Sequence, residues 1–390
     1  MQIPLVDLRW QHRLVQDELN AIFQRILADP YADDLTYARE LEPMLAAYFG
    51  VPEGCAITVQ SGTSAQFLAL KALGIGPGDE VITVPNSDLP TTSSISHTGA
   101  TFRLADVEAA THNLDPALIE AAITPSTRAV VPVHMFGRPA DMTRIRELAH
   151  ARGLLVIEDA TLALGAEHRG VKAGLWGDAA FFSFAPRKVL GGFSNGGLVL
   201  TRDPDVAHRV RLLRGYGQDP SIMEKPIHER HQQNGMAGIA EGYNFKLDGI
   251  QAAVVLTKFP YLHAWGELRQ AVAERYAAGL IDVPGVTLPA PIGEDRHAWR
   301  NYVILVPPAK RDAIRHYLAQ NGVTTSVMYA PPIHLQPVYR HLGLGEGSFP
   351  VVEALADSLL ALPIYPGMTE EQVDYVVEKL REAFLLDTKL

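Results

Sequence analysis

The stretch FFSFAPRKVLGGFSNGGLVL, residues 181–200, places a lysine between two apolar runs. Its first residues predict a buried strand, and the run that ends it predicts another strand after a glycine-rich segment. Lys188 therefore follows the end of a strand. A lysine in that position can cover apolar surface with its stem while the ammonium reaches water. Alternatively, its amine is neutral part of the time and acts as a nucleophile. The stretch alone favours the first interpretation.

Strand and helix patterns alternate on either side of this stretch. Helices are predicted in SAQFLALKALG and in DMTRIRELAHARG, where Asp141 is a suitable N-cap and Gly153 a suitable stop. Buried strands are predicted at residues 81–85, 128–134, 154–160 and 179–184. This alternation predicts an α/β fold with a mainly parallel sheet covered by helices on both faces.

A smaller α/β unit is predicted after about residue 255. Its pattern reads helix, strand, helix, strand and closing helix, at residues 264–280, 299–306, 310–322, 323–329 and 369–384. We therefore expect a large domain at 1–257 and a small C-terminal domain at 258–390. The sequence of residues 215–242 shows no clear hydrophobic period. This predicts a long functional or interface loop.

Composition narrows the class of protein. The chain has 390 residues, 47% of them hydrophobic, and a net charge of −10. This charge disfavours nucleic acid and anionic membranes as main partners. Cys55 is the only cysteine, so no intrachain disulfide forms, and the histidines show no metal-ligand spacing, so no metal is predicted. Without a signal-peptide pattern or an apolar run of roughly 18 residues, the expected location is cytoplasmic.

Residues 60–66, QSGTSAQ, immediately precede a predicted helix. Gly62 permits close approach of a ligand to the backbone, and Thr63 and Ser64 place hydroxyl and amide groups at the helix N-terminus. Such a segment can hold a phosphate. An ordinary Ser/Thr helix cap is the alternative interpretation.

Three further polar groups fall at strand ends or in loops, where open α/β sheets bind their ligands. Asp159 ends a predicted buried strand, and burying its carboxylate without a partner is costly. It is therefore either a counter-ion for a ligand cation or a structural residue, in a helix cap or an ion pair. Ser183 lies close to Lys188 in the sequence. Asn244 precedes a helix in which Ile250, Ala253 and Val254 are expected to be buried.

A phosphate site, an acid and an amine at one sheet edge match the needs of pyridoxal 5′-phosphate. Its aldehyde requires a lysine, its pyridine nitrogen an acid, and its phosphate a set of dipoles and hydroxyls. The chain resembles the DegT/StrS-type sugar aminotransferase family of fold-type I pyridoxal phosphate enzymes over nearly its whole length. The resemblance is carried by IPLVDL, SGTSAQFLALKALGIGPGDEVITVP, VVPVHMFGRPADM, VIEDATLALGA, GDAAFFSFAPRKVLGGFSNGGLVLT, GYNFKLDGIQAA, PPIHLQPVY and LALPIYPGMT.

The resemblance assigns a role to each of these groups. It implies that Lys188 forms the Schiff base with the cofactor and later moves the substrate proton, while Asp159 pairs with the pyridine nitrogen. The phosphate would be held by Ser183 and by the segment at Gly62, Thr63 and Ser64. An asparagine at the position of Asn244 reaches the phosphate in the neighbouring subunit, which implies a homodimer with two shared active sites.

Three positions depart from the family pattern. Leu89 stands where an aromatic residue usually covers the cofactor ring, and Leu162 where Gln or His usually contacts the phenolic oxygen. Lys246 replaces the usual arginine and lacks its planar fork. Leu89 can still pack on the ring, whereas Leu162 leaves the phenolic oxygen to another donor or to water.

Candidate substrate contacts are Asp88, Lys246, Tyr329 and His334. Asp88 could hydrogen-bond a substrate hydroxyl, and Tyr329 and His334 align with a segment that borders the substrate pocket. His228 and Arg230, together with Lys246, either receive an anionic group or form a solvated loop face.

The resemblance implies an aminotransferase. An amino acid donor, glutamate or glutamine, would give its amino group to a keto sugar, nucleotide-linked, or to a keto-cyclitol, in amino-sugar or antibiotic biosynthesis. The departures at Leu89 and Leu162 leave two alternatives open: an elimination or lyase-type reaction on the same cofactor, and a non-catalytic relative that binds it.

Overall fold

A computed structural model describes residues 1–29, 33, 35–230 and 238–386 of the chain. Its strands are β1 (Ala56–Val59), β2 (Glu80–Thr83), β3 (Thr101–Leu104), β4 (Thr127–Val130), β5 (Leu155–Asp159), β6 (Glu167–His168), β7 (Val171–Lys172), β8 (Ala179–Ser183), β9 (Gly197–Thr201), β10 (Tyr302–Leu305) and β11 (Leu359–Leu362). Seven of these strands form one sheet in the order β1-β9-β8-β5-β4-β2-β3. Only β9 runs antiparallel to its neighbours in this sheet, so the predicted α/β fold with a mainly parallel sheet is confirmed.

Helices cover this sheet and extend beyond it. They are α1 (Arg9–Leu14), α2 (Gln16–Ala28), α3 (Ala38–Phe49), α4 (Gly62–Ala72), α5 (Leu89–His97), α6 (Pro116–Ala122), α7 (Met142–Ala151), α8 (Pro204–Arg214), α9 (Pro220–Met223), α10 (Ile227–Arg230), α11 (Gly249–Lys258), α12 (Leu262–Leu280), α13 (Pro308–Gln320), α14 (Pro350–Ser358) and α15 (Glu370–Leu386). The predicted N-cap of α7 is present, because the Asp141 carboxylate accepts a hydrogen bond from the Arg144 N–H at 3.2 Å.

The C-terminal part of the chain corrects one predicted strand. Strand β10 pairs antiparallel with β11, whereas residues 323–329 form only isolated bridges, Val323 with Ile3 and Ser326 with Ala361. The prediction of a strand at residues 323–329 was therefore wrong. The fully buried run LLAL of β11 takes the place beside β10.

Among the described residues, the hydrophobic core has three parts. One lies around β1, β8 and β9, and a second joins β2, β4 and β5 to residues of β10 and β11. The third packs α12, α13 and α15 on the small sheet and includes Ile3 from the N-terminus. The division into domains at 257/258 stays a prediction.

Helix α11 departs from the expected burial at one position. Ala253 and Val254 are fully buried, but Ile250 is 46% exposed, so its predicted burial was wrong. Ile250 lies in the first turn of α11, which begins at Gly249, and its side chain is left uncovered in the single chain.

Candidate active site

A cavity of about 390 Å³ lies at the carboxyl ends of the parallel strands. Strand β5 is central, with β4 on one side and β8 on the other, which is where open α/β sheets form their ligand crevice. The cavity is lined by Ser61, Gly62, Thr63, Gln66, Ser87, Asp88, Pro90, Thr91, Val133, Asp159, Thr161, Leu162, Phe181, Ser183, Ala185, Lys188, Asn195 and Tyr329.

One wall of the cavity is the N-terminus of α4. Ser61 caps this helix, and its Oγ accepts a hydrogen bond from the Ser64 N–H while the Ser64 Oγ accepts one from the Ser61 N–H, both at 3.0 Å. This reciprocal cap uses the Ser64 side chain and leaves the first amides of the helix, at Gly62 and Thr63, for an anion.

Gly62 is required by the close approach of strand β8. A Cβ added to Gly62 would lie 2.9 Å from the Cβ of Ser183 and 3.2 Å from its Oγ. The lack of a side chain therefore lets the Ser183 hydroxyl and the amides of α4 face the same part of the cavity. A phosphate fits this set of donors.

Lys188 lies in the turn after β8 and contributes its amine to the cavity. Burial, and to a lesser extent the positive charge of Arg300, lowers the pKa of Lys188 to about 8 against the opposing effects of Asp159 and Asp88. A substantial fraction of this amine is therefore neutral near pH 8, which is the form needed for attack on an aldehyde.

Asp159 ends β5 and is buried, with only 3% of its surface exposed. Burial raises the pKa of this carboxyl, although hydrogen bonds from Thr161 act in the opposite direction. Its Oδ1 accepts from the Thr161 hydroxyl at 2.7 Å and from the Thr161 N–H at 3.1 Å, and its Oδ2 accepts from the Thr91 hydroxyl at 3.3 Å. These donors are neutral. A protonated ring nitrogen would give the buried carboxylate a cationic partner.

The neighbouring Glu158 and His134 support β5 from within the core. Both are fully buried, and His134 Nε2 lies 2.9 Å from Glu158 Oε2. His134 Nδ1 accepts from the Ala140 N–H, which leaves Nε2 as the donor to Glu158. The Glu158 carboxylate also accepts hydrogen bonds from the backbone amides of Gly174, Trp176 and Gly177.

The structure brings eight of the predicted site residues to the cavity. They are Gly62, Thr63, Asp88, Asp159, Leu162, Ser183, Lys188 and Tyr329. Asp88 also caps α5, since its Oδ1 accepts from the Leu89 N–H at 2.8 Å. Burial raises the pKa of Tyr329 to about 12, so its hydroxyl stays protonated at neutral pH. The roles proposed for these residues stay predictions.

The other predicted residues lie outside the lining of this cavity. The side chain of Ser64 is used in the helix cap, and Leu89 is exposed at the start of α5. His334 is buried against Glu353, with Nε2 2.9 Å from its Oε1. Lys246 donates to Asn244 Oδ1 at 2.6 Å.

Arg230 does not supply a free cation to the cavity. It forms an ion pair with Asp33 and donates to the Lys225 carbonyl. The side chain of His228 lies outside the described part of the structure. Lys246 lies over the ring of Tyr216, 4.6 Å from its centroid.

Several lining residues were missed by the sequence analysis. Thr161 follows Asp159 by two positions, and a hydroxyl so close to a strand-ending acid could have been recognised as its partner. Thr91 comes from α5, held by Gln66, which donates to its carbonyl at 2.8 Å. Asn195 comes from the glycine-rich loop. No local sequence signal indicates these last contacts, because they depend on tertiary packing.

Lys188, whose amine can be neutral, lies at one edge of the sheet. The buried Asp159 and the N-terminus of α4, which faces Ser183, lie at the same edge. Together with the fold, this arrangement defines a pyridoxal 5′-phosphate enzyme of the aminotransferase type. Residues 14–381 match the DegT/DnrJ/EryC1/StrS aminotransferase family, and the chain belongs to this family.

Known relatives agree with this assignment over almost the full length. The chain is 38% identical over 384 residues to dTDP-3-amino-3,4,6-trideoxy-alpha-D-glucose transaminase of Streptomyces venezuelae, covering 98% of this chain and 96% of the relative. Among solved structures, DesV of S. venezuelae in complex with a ketimine intermediate has a TM-score of 0.89 at 36% identity, with 98% of each chain covered. NtdA of Bacillus subtilis with bound cofactor PMP has a TM-score of 0.84 at 29% identity, covering 98% of this chain and 83% of NtdA.

Metal ions and membranes are two further partners to consider for the described residues, 1–29, 33, 35–230 and 238–386. No group of three or more His, Cys, Asp or Glu side chains in these ranges is arranged to hold a metal ion. Within the same residues, no helix combines the length and apolar character needed to cross a bilayer.

Proposed function

We propose that the protein transfers the amino group of glutamate or glutamine to the carbonyl of a sugar, nucleotide-linked, or of a cyclitol, in the biosynthesis of amino sugars or antibiotics. The observation that carries this proposal is the meeting of Lys188, Asp159 and the α4 N-terminus in one cavity. The nucleotide-sugar relative supports the acceptor class. We further propose that the reaction takes place in the cytoplasm.

The residues present fit pyridoxal 5′-phosphate. The amides of Gly62 and Thr63 and the hydroxyl of Ser183 would hold the phosphate, Asp159 would pair with the ring nitrogen, and Lys188 would bond to the aldehyde carbon. When bound, the cofactor supplies an aldehyde that accepts amino groups and a protonated ring that withdraws electrons from the bond being broken.

We assign proton transfer, charge pairing and the exclusion of water to side chains that line the cavity. With the cofactor bound, the free Lys188 amine would act as the general base that takes the proton from the donor α-carbon, which its lowered pKa permits. The negative charge of Asp159, which hydrogen bonds from Thr161 and Thr91 hold in place, would keep the ring nitrogen protonated. Val133, Leu162 and Phe181 exclude water from parts of the cavity wall.

We also propose that the enzyme is a homodimer with shared active sites. Large apolar side chains are exposed at Phe193, Tyr216, Ile239 and Ile250. Gln251 accepts from the Phe193 N–H at 2.8 Å, so Phe193 approaches the first turn of α11. Tyr216 likewise lies beside Lys246. A second copy that covers this surface would bring Asn244 toward the neighbouring cavity.

The proposal is tested by separate half-reactions of the purified, cofactor-loaded protein. Glutamate and glutamine are each added while the cofactor absorbance is followed, and a panel of nucleotide-linked keto sugars and keto-cyclitols is then supplied. We expect mass spectrometry to detect an amine in place of a carbonyl, and no such product with Lys188→Ala. Absence of any absorbance change with every donor, and of any aminated product, would refute the proposal.

Product analysis also distinguishes the elimination alternative. The apolar Leu162 in the cavity wall favours it, because this side chain gives the cofactor no hydrogen bond that would guide the fate of the reacting carbon. Loss of water or another group from the substrate, without exchange of carbonyl for amine, identifies a lyase.

A further inference from the structure

Glu42 lies at the centre of a buried ion network that joins helices α3 and α8. Its side chain belongs to α3 and is only 8% exposed. One carboxylate oxygen, Oε1, lies 2.6 Å from a guanidinium nitrogen of Arg214, and the other, Oε2, lies 2.9 Å from one of Arg211. Burial opposes ionisation of Glu42, but the charges of Arg214 and Arg211 outweigh it and lower the pKa of this carboxyl overall. Glu42 is therefore an ionised carboxylate with two cationic partners at neutral pH.

Glu42 and Arg214 also cover the edge of the large sheet. Strand β1 is the last strand on its side of this sheet, so part of its backbone has no neighbouring strand to bond. At Thr58 the backbone N–H donates to Glu42 Oε1 at 2.9 Å, and the carbonyl accepts from the Arg214 side chain at 2.9 Å. Glu42 further accepts from the Thr58 hydroxyl at 2.8 Å. The two side chains therefore fix the end of α8 against β1.

The segment that carries Asn244 is bonded to the same two elements. The Phe245 N–H donates to the Arg214 carbonyl at 3.1 Å, and the Phe245 carbonyl accepts from the Gln60 N–H at 2.8 Å. Arg214 is the last residue of α8, and Gln60 directly follows β1. Both backbone groups of the residue after Asn244 are thus bonded to parts of the chain that Glu42 holds together.

The network continues along the chain that leads from α8 toward Asn244. Glu224 lies 2.6 Å from the Arg214 guanidinium and also forms an ion pair with Arg211. Its carbonyl accepts from the Arg39 side chain, which belongs to α3, at 2.6 Å. Since Glu224 directly follows α9, the network also holds the end of this helix against α3 and α8.

Stability alone does not explain why charged side chains occupy this position. Removing a carboxylate and two guanidinium groups from water costs about as much as their attraction returns, so apolar side chains of similar volume often hold a fold equally well. Hydrogen-bonded charges differ from apolar contacts because they fix direction as well as distance. The network is therefore suited to setting the position of Asn244 relative to β1.

We propose that Glu42 and Arg214 position the segment that carries Asn244 and thereby act on the active site of the neighbouring subunit. This proposal rests on the proposed function, in which the enzyme is a homodimer and Asn244 reaches across the interface. Neither Glu42 nor Arg214 lines the cavity of its own chain, so both are positioning residues. The alternative is an effect within the same chain, because β1 also leads into the Ser61 cap of α4, which borders that cavity.

Arg214→Met is the informative variant, because it leaves no carboxylate of the network without a cation. Glu42 and Glu224 each keep Arg211 as their partner. Arg211→Met is the matched control, since it removes the same charge from the same network and both carboxylates keep Arg214. Of the two arginines, it is Arg214 that bonds to both β1 and Phe245.

The test measures binding of pyridoxal 5′-phosphate. Bound cofactor is attached to Lys188 by reduction with borohydride and is then detected by mass spectrometry of the intact chain. We expect Arg214→Met to bind the cofactor about tenfold more weakly than wild type and Arg211→Met to bind it as wild type does. Equal losses in the two variants, or no loss in either, overturn the proposal. If Arg214→Met does not fold, Arg214→Lys replaces it, with a smaller loss expected, because it keeps a cation but loses the planar fork.

Mixed dimers show in which cavity the defect lies. Refolded with an equal amount of Lys188→Ala, half of the Arg214→Met chains lie in mixed dimers, where they receive an undamaged Asn244 segment. We expect these chains to recover wild-type affinity for the cofactor. Refolded with Asn244→Asp instead, the Arg214→Met chains should not recover it, because the segment that they receive is itself impaired.

These outcomes separate the failure of this inference from that of the proposed function. If Lys188→Ala and Asn244→Asp restore cofactor binding in a mixture, but Arg214→Met recovers with neither or with both of them, the inference alone is overturned. If Lys188→Ala and Asn244→Asp do not complement each other, the shared site and this inference fail together. If wild type binds the cofactor but aminates no keto compound, the proposed reaction fails, and cofactor binding in the mixtures still decides the role of Arg214.

Discussion

The amine of Lys188 should control how the protein takes up its cofactor. Its pKa is lowered to about 8, mainly by burial. Since only the neutral amine attacks an aldehyde, the rate of pyridoxal 5′-phosphate uptake by the apoprotein should rise with pH and reach half its maximum near pH 8. Stopped-flow absorbance at a series of pH values measures this midpoint.

A second lysine makes a control necessary. Burial also lowers the pKa of Lys258 to about 8, and its amine donates to the Gly191 carbonyl at 2.9 Å. Lys188→Ala should abolish the pH-dependent phase, whereas Lys258→Met should retain it. A midpoint near 10.5 in wild type, the usual value for a lysine, would contradict the environment described for Lys188.

Asp159 should reduce the stability of the protein in the absence of cofactor. Its pKa in the folded protein is raised, so the ionised carboxylate is more costly there than in the unfolded chain. That cost is absent at acid pH and appears as the pH rises past the unfolded and then the folded pKa. Asp159→Asn should therefore stabilise the apoprotein at pH 7.5 by about 1 kcal/mol or more, and not at pH 3 to 4.

The same substitution should impair the loaded enzyme. Without the carboxylate the ring nitrogen loses its anionic partner, and we expect turnover to fall about 100-fold or more. Denaturant titrations of the apoprotein at both pH values, together with turnover assays, measure the two effects. A less stable apoprotein at pH 7.5 would show that Asp159 already has a sufficient partner within the chain.

Sequence patterns reveal ionisable residues that follow predicted buried strands. Asp159 ends a strand that begins with the apolar residues 155–157, and Lys188 lies in a turn after another strand, so both could be predicted as site residues. Arg214 is one of several basic residues in α8, and its contact with Glu42 depends on tertiary packing. The sequence could not show that the Ser64 hydroxyl is turned back onto Ser61, and the predicted contact of Ser64 with the cofactor stays a prediction.

At the level of elements, the junction of α4 and β8 depends on Gly62. Gly62→Ala would force the new methyl group against Ser183 and widen the phosphate site. We expect about tenfold weaker binding of pyridoxal 5′-phosphate, measured by fluorescence titration of the apoprotein. Gly345→Ala is the matched control, because a Cβ there has no atom within 4 Å, and it should bind the cofactor as wild type does. Equal affinity in both variants would mean that the junction does not hold the phosphate.

The small sheet shows where pattern-based prediction of elements fails. The run VTTSVMY has β-branched residues and an alternating pattern, but its backbone makes only scattered bridges. Strand β11 is a short, continuously apolar run that directly follows α14, and apolar runs of this length do not distinguish strand from helix. The long parallel-sheet pattern was predictable because several strands and helices repeat it.

At the level of the whole molecule, the exposed apolar surface near the cavity is where we propose that a second copy of the chain binds. Ile250 has the helical spacing of a buried residue and yet is exposed, together with Phe193, Tyr216 and Ile239. On this side of the molecule the Lys246 amine donates a hydrogen bond to the Asn244 side chain. Both residues lie outside the cavity of their own chain. If a second copy covers this surface, the Asn244 of each protomer serves the active site of the other.

A mixture of two inactive variants tests this arrangement. Lys188→Ala disables the cavity of its own protomer, whereas Asn244→Asp places a negative charge beside the phosphate of the partner's cavity. Unfolded together in equal amounts and refolded, the two variants form mixed dimers that have one intact site each. Half of the dimers are mixed, so we expect about a quarter of wild-type activity.

A second mixture provides the control for this experiment. Lys188→Ala combined with Asp159→Asn should give no recovery, because both residues belong to the same protomer's cavity and every site in a mixed dimer has one defect. Sedimentation must show dimers in both mixtures. If the Asn244→Asp mixture is dimeric and yet stays inactive, Asn244 does not act across the interface, and a monomeric wild type would overturn the dimer itself. Recovery confined to the first mixture requires two chains to build each site, and thus accounts for apolar side chains that a single chain leaves exposed.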